Sequence, residues 1–458
     1  VLDEFMMKTT IFNIAIATTL LGQTTTSFGL DLSQIDRASV SESSPSQRCY
    51  TAERMNLSDY STKDLETETK LCAIQLESAG LCPKLTSTSA GIKVFDNSLN
   101  LNLSDFNQRF CVSQKPIDSQ NQIKLKSLGK FKHTMDLTYS QSNLTYYHLS
   151  RILDAGRVPV SVLKTLSAKT HQTLTENAVS NLTALNIPTT KIISQSWRNL
   201  LARYKATDAK QRRGFIDDKS GVAAGVMVDN IKDDFIYAEL DKFPDLNNLD
   251  ATPLYKKVFS NLSINEIVGA DRFQKIAAAQ TAVEMKDISD MIVMDTILNQ
   301  VDRYGNMAKK NIWYFVENNK LNKVSADYDP NNKVLETQKI EMKAKNAVLV
   351  KEMYLIDNDA GLIFESEFAK KNYVSNLTHL SPRTYTKLLS LYKNREAFEQ
   401  LMVRSLLVGP QTALKIENNL IRVTEKLIER CKSGELKLDI DRDYVIGLKT
   451  TLDKVSCE

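Results

Sequence analysis

Two acidic segments, each placed directly after an apolar stretch, constrain this chain more than any other feature. Met285 to Leu298 carries apolar residues at 285, 288, 291, 292, 294, 297 and 298, the spacing of a buried helix. That helix runs into Asp302-Arg303-Tyr304-Gly305-Asn306. Tyr354 to Ile356 reads as a short strand, and it runs into Asp357-Asn358-Asp359-Ala360-Gly361. A fold built on these segments holds both carboxylates at the rim of a buried element. Such a pair suits phosphoryl transfer. One carboxylate orients or deprotonates an attacking hydroxyl, and the other holds the cation that bridges the phosphates. The plainer reading of Asp302-Arg303 is a surface ion pair.

The N-terminus reads as a secretion signal. Met6-Met7-Lys8 gives a short basic start, Ile11 to Leu21 an apolar core, and Ser27-Phe28-Gly29 a cleavage region, so that 1–29 is the signal peptide. Residues 1–5 precede the start methionines and read as a non-native or start-site extension. The apolar run is too short to span a bilayer as a stable helix, and no later run is long enough either. Six cysteines agree with export: Cys49, Cys72, Cys82, Cys111, Cys431 and Cys457. Four lie early and two late, so pairing within each cluster is simplest. No Cys or His spacing suggests zinc. The expected compartment is secreted or periplasmic, or the lumen of a secretory pathway. A formal net charge of +4 is too mild to imply a nucleic-acid partner.

Along the chain, the Ser-rich 30–48 reads as a flexible leader. Residues 49–220 form an N-terminal, disulfide-containing region and small lobe, and 221–458 a C-terminal helical lobe. Between 121 and 132 apolar and basic residues alternate, the period of a half-buried strand with its lysines on one face. A helix is expected at 142–155, ended by Gly156 and Pro159. Residues 161–215 are polar and read as mostly helical. Gly221 to Val228 is small and apolar, a buried strand passing into a connector. Residues 311–324 read as a hairpin with its turn at Glu317 to Lys320, and 329–346 as a polar insertion. Ser381-Pro382 opens a helix, and 384–430 is helical, with Ile416, Leu420, Val423 and Leu427 on one face.

Read in order, these elements resemble the secreted kinases typified by the Golgi casein kinase, the glycosaminoglycan xylose kinase and Four-jointed. The chain would be a divergent member, with a bacterial origin left open. The resemblance rests on Tyr147-His148-Leu149-Ser150-Arg151-Ile152-Leu153-Asp154 with Arg157-Val158-Pro159. It continues through the apolar helix into Asp302-Arg303, Ile356-Asp357-Asn358 with Gly361, and Pro382-Arg383-Thr384-Tyr385. It implies an α+β, two-lobed protein-kinase-like fold with a strand-rich small lobe and a mainly helical large one. It implies ATP with Mg²⁺ or Mn²⁺ as cofactors, and a protein or glycan hydroxyl as acceptor.

Residue by residue, Asp302 matches the catalytic Asp and Asp357 the metal-binding Asp, with Asn306 as a further metal ligand. Lys132 matches the phosphate-binding lysine, with Lys130 and Lys126 as rivals, and Met227 and Val228 lie in the nucleotide-binding connector. Asp327, in Ala326-Asp327-Tyr328-Asp329, is an alternative metal ligand. Asn143 stands at the helix position where the family has a Glu paired with its lysine. An Asn cannot supply that ion pair. Three functions follow: an exported ATP-dependent kinase, a catalytically inactive nucleotide-binding scaffold, or a non-enzymatic secreted interaction protein.

Overall fold

The alternating run ending at Lys132 becomes a central strand of a seven-stranded antiparallel sheet. The computed structural model describes the chain from Leu32 onward, except residues 35–36, 45, 86, 88, 113–116, 119–122, 136–137, 156, 190, 218, 232–234, 237–252, 270–275, 304–305, 330, 363–371 and 447–448. The expected signal segment 1–29, Tyr304, Gly305 and Gly156 thus lie outside the described residues. The strands of the large sheet are β1 (Arg37–Ser44), β2 (Gln47–Ala52), β3 (Gly80–Pro83), β4 (Ile92–Phe95), β5 (Ser127–Lys132), β6 (Ser161–Ser167) and β7 (Val222–Val228), in the order β1-β2-β6-β7-β5-β4-β3. Two expectations are corrected by this sheet. Part of the Ser-rich 30–48 is not a leader: β1 pairs with β2, and β2 with β6. A division at 221 also fails, because β7 pairs with both β5 and β6 at the centre of the sheet.

A smaller sheet holds β8 (Met307–Glu317), β9 (Lys320–Ser325) and β10 (Val348–Leu355), with Phe235–Ile236 beside β8. The β8–β9 hairpin turns between Glu317 and Lys320, as its sequence indicates. The insertion between β9 and β10 contains a helix, Glu336–Ala344.

Helix α1 (Thr62–Ala73) opens with Ser61 and Asp64 in a reciprocal capping box. Helix α2 (Gln141–Leu153) is buried along almost its whole length. It touches β6 and β7 on one side and the Asn358–Ala360 turn on the other, so it joins the large sheet to the rest of the molecule. Helices α3 (Ala168–Ala184) and α4 (Ile192–Lys205) pack together. The Phe131 and His171 rings meet at 6.4 Å, which places α3 on the sheet face opposite Lys132.

Helix α5 (Ile276–Ile297) is buried nearly all round, charged Glu284, Lys286, Asp287, Asp290 and Asp295 included, and runs through the C-terminal core. Three further helices follow: α6 (Pro382–Lys393), α7 (Arg395–Arg404) and α8 (Pro410–Lys432). Ser381 caps α6, and Ile416, Leu420, Val423 and Leu427 of α8 are buried as their spacing requires. The cysteines pair within their clusters: Cys49–Cys72, Cys82–Cys111 and Cys431–Cys457. Among the described residues no helix is long and apolar enough to cross a membrane.

Candidate functional site

Lys132 ends β5 with its side chain turned out of the α3 face and toward the C-terminal half. Its Nζ lies 2.8 Å from Asp357 Oδ1 and 3.1 Å from Asp359 Oδ1. Two segments more than 220 residues apart thus meet through one buried ammonium. The Asp359 side chain is 9% exposed and the Asp357 side chain 31%. Asp359 is the more buried partner and Asp357 the more exposed one. Asp357 sits in the left-handed region, φ 49° and ψ 52°. Asp tolerates that conformation better than most residues, and it lets β10 end in a tight turn.

Lys132 and Asp357 perturb one another. Burial works against the ammonium, but the Asp359 and Asp357 carboxylates outweigh it and hold the Lys132 pKa above its ordinary value. Lys132 in turn holds the Asp357 carboxyl well below the usual carboxylate range, with help from Lys84 and Lys130. Both groups stay charged across the physiological range.

A buried network fixes the turn. Arg303 is 1% exposed. Its Nε and Nη2 donate to Asp295 at 2.8 and 2.9 Å, and Nη2 also donates to Asn358 Oδ1 at 2.8 Å. Tyr146 on α2 donates to Asp295 Oδ1 at 2.7 Å. Arg303 is therefore a buried connector and not a surface ion pair. Gly361 closes the turn against α2. A Cβ there would lie 2.5 Å from Ser142 Oγ and 3.1 Å from the Leu298 carbonyl oxygen, so only glycine permits this approach.

Asp302 stands beside this turn with its surface open to solvent. Crowding by surrounding protein, and then the charges of Asp359 and Asp357, push its carboxyl pKa up. Such a group is suited to accept a proton. The Asn306 amide donates to the Asp302 carbonyl at 2.7 Å, so this side chain steadies the loop.

The structure also shows what the other expected residues do. Val228 pairs with Lys130 and faces the Lys132 side of the sheet, whereas the Met227 side chain lies in the core with Phe131 on the other side. Met227 can offer only backbone to a ligand. Asn143 is buried, and its amide donates to the Ser140 carbonyl at 3.2 Å. No residue of α2 is acidic, so the helix supplies no carboxylate to Lys132. Asp327 lies in the insertion after β9, where its backbone and side chain bond Gln338. Among the described residues no hydrogen bond or ion pair links it to Lys132, Asp357 or Asp302.

Sequence reasoning missed Asp359, Lys84, Asp295 and Tyr146. Asp359 was signalled by the Asp-Asn-Asp spacing, but its lysine is remote in sequence. Lys84 follows β3, and burial lowers its pKa to about 8, the effect of Asp357 opposing that shift.

The donor set bears on a cation. Among the described residues no group of three or more His, Cys, Asp or Glu side chains is arranged to hold a metal ion. Mg²⁺ needs no such cage. It is commonly held by one or two carboxylates, with phosphates and water completing its oxygen shell. The half-open Asp357 carboxylate fits that requirement. Comparison with family models, curated proteins and solved structures finds no match to this chain.

Proposed function

We propose that the chain is an exported phosphotransferase of two-lobed, kinase-like build, moving phosphate from ATP to a hydroxyl of a protein or glycan. The observation that carries this reading is the meeting of Lys132 with Asp357 and Asp359, with Asp302 alongside. The strand order supports it. Counting from the β3–β4 hairpin, the lysine lies on the third strand and α2 follows it, the placement of lysine and helix in protein kinases. Three disulfides accord with a secreted or lumenal setting.

Each residue then has a task. Lys132 contributes a positive charge to the nucleotide phosphates. Asp357 would hold Mg²⁺ or Mn²⁺, which supplies charge neutralisation on the phosphates when bound. Asp302 accepts the proton of the acceptor hydroxyl as that oxygen bonds phosphorus and the bond to the leaving phosphate oxygen breaks. Its raised pKa strengthens it as a base relative to an ordinary Asp. Asp359 holds Lys132 in place, the task that an acidic residue on α2 would otherwise perform.

The lack of a carboxylate on α2 favours a second reading, a nucleotide-binding scaffold without transfer. One experiment separates the two. Purified protein is incubated with ATP and Mg²⁺ or Mn²⁺, and phosphate incorporation is followed by mass spectrometry alongside nucleotide binding. Asp357→Ala should abolish metal-dependent binding. Asp302→Ala should keep binding and lose transfer. Binding without transfer in the unaltered protein selects the scaffold, and absence of metal-dependent nucleotide binding overturns both readings.

A further inference from the structure

The lysines of β4 and β5 do more than solvate a strand. Lys93 and Lys130 are direct cross-strand partners. Opposed residues in an antiparallel pair have Cβ atoms roughly 4.5–5.5 Å apart, and like charges so placed destabilise the sheet. Alternation along β5 puts Lys132 on the same face as Lys130. Lys84 is aligned with Gly91, to whose carbonyl its backbone donates at 2.8 Å. Antiparallel continuation of the Ile92–Phe131 pair sets Gly91 against Lys132.

The face therefore carries two rows. One runs Lys84, Gly91, Lys132, and the other runs Lys93, Lys130, Val228. Successive same-face positions on a strand are about 7 Å apart. Gly91 lies between Lys84 and Lys132, and the Lys84 side chain runs over it: a Cβ there would lie 3.4 Å from Lys84 Cδ. At the outer end the face is closed by Phe95, Phe106 and Phe110, which cluster around Cys82 and Cys111. Asp357 and Asp359 are both engaged by Lys132 and act on Lys84 only at longer range, and among the described residues no carboxylate forms an ion pair with Lys84, Lys93 or Lys130. Burial, and then Lys130, lower the pKa of Lys93, as expected of cations crowded without a counterion.

We propose that this face seats a ligand bearing phosphate groups at two places about 7 Å apart, one in the Lys84–Lys132 row beside Asp357 and one in the Lys93–Lys130 row toward Val228. A linear polyphosphate chain and a ring carrying several phosphates share this chemistry; a nucleoside monophosphate fills only one row. The proposal rests on the phosphotransferase reading only in taking the surroundings of Lys132 as the ligand site.

The test is calorimetric titration of the full chain, without divalent metal, using tripolyphosphate, inositol hexakisphosphate and AMP. The unaltered protein should bind one or both multiply charged ligands, and which one tells chain from ring. Lys93→Ser with Lys130→Ser should weaken that binding at least tenfold and AMP binding less than twofold. The same double variant should melt no lower than the unaltered protein without ligand, because a like-charge pair has been removed. Equal binding by variant and unaltered protein overturns the proposal, as does binding of neither multiply charged ligand, or an equal loss for AMP. Failure of the two readings is distinguishable. If metal-dependent ATP binding persists and ignores Lys93 and Lys130, the second row is not a seat. If polyphosphate binding needs both lysines but no metal-dependent ATP binding occurs, the kinase reading fails and the seat stands.

Discussion

Asp359 gives Lys132 a partner that α2 does not provide. Its side chain is the more buried of the two carboxylates, and its backbone carbonyl accepts from Tyr139 at 2.7 Å, just ahead of α2. On the phosphotransferase reading proposed above, Asp359→Asn should weaken nucleotide binding at least tenfold, and on any reading it should cost about 1.5–3 kcal/mol of stability, the range of a charged hydrogen bond. A separate readout is alkaline unfolding. Because the folded pKa of Lys132 is raised, its contribution is complete below the ordinary lysine pKa and is lost as pH rises through the folded value. Without Asp359 the folded pKa is raised less, so that loss should be smaller and complete at lower pH, and Asp359→Glu should restore part of it. An unchanged alkaline limb in a pH series of urea titrations would show that Asp359 does not hold the lysine.

At the scale of elements, what could be read from the sequence depended on whether polar residues betrayed their burial. Helix α2 and the β8–β9 turn were legible because apolar period and turn chemistry agreed with the fold. Strand β6 was not. Its Lys164 and Thr165 look solvent-facing, yet Lys164 donates to the Leu71 and Cys72 carbonyls and Thr165 to the Ser46 carbonyl. Part of the Ser-rich start was hidden likewise, since only β6, over a hundred residues on, turns the β1–β2 hairpin into sheet. Asp302, Lys132 and Asp357 stood out in the sequence and lie near one another in the fold, whereas Asp359 needed the three-dimensional contact. The packing of α5 on β10 carries its own prediction. Asp287 accepts from the Met353 backbone at 2.8 Å, and burial, then Glu352, pushes its carboxyl pKa up to about 8. A raised carboxylate means that the folded state holds its proton longer, so stability falls as pH rises from about 4 toward 8 and then levels. Asp287→Asn keeps an acceptor and removes that loss. Its melting temperature should match the unaltered protein near pH 4 and exceed it increasingly up to pH 8.

The whole molecule is held around the Lys132–Asp357 pair by charge as well as by core. Arg303 reaches Asp295 on α5 and Asn358 in the turn, and it donates to the Ile356 carbonyl at 3.3 Å; Tyr146 adds α2 through Asp295. The sheet-bearing half, the apolar helix and the acidic turn thus share one guanidinium with no exposed surface to spare. Removing that charge strands a buried carboxylate. Arg303→Met should cost about 3–5 kcal/mol, because breaking one side of a buried pair leaves the other uncompensated. Asp295→Asn in the same chain should recover a large part of that loss, since the neutral amide still offers Tyr146 an acceptor. The recovery separates electrostatics from packing. If the double variant is as unstable as the sum of the two single changes, Arg303 acts mainly by filling space. If it recovers stability but not nucleotide binding, the guanidinium is needed to hold Asn358, and through it Asp357 and Asp359, against Lys132. Urea titration with nucleotide binding on the three variants gives both answers.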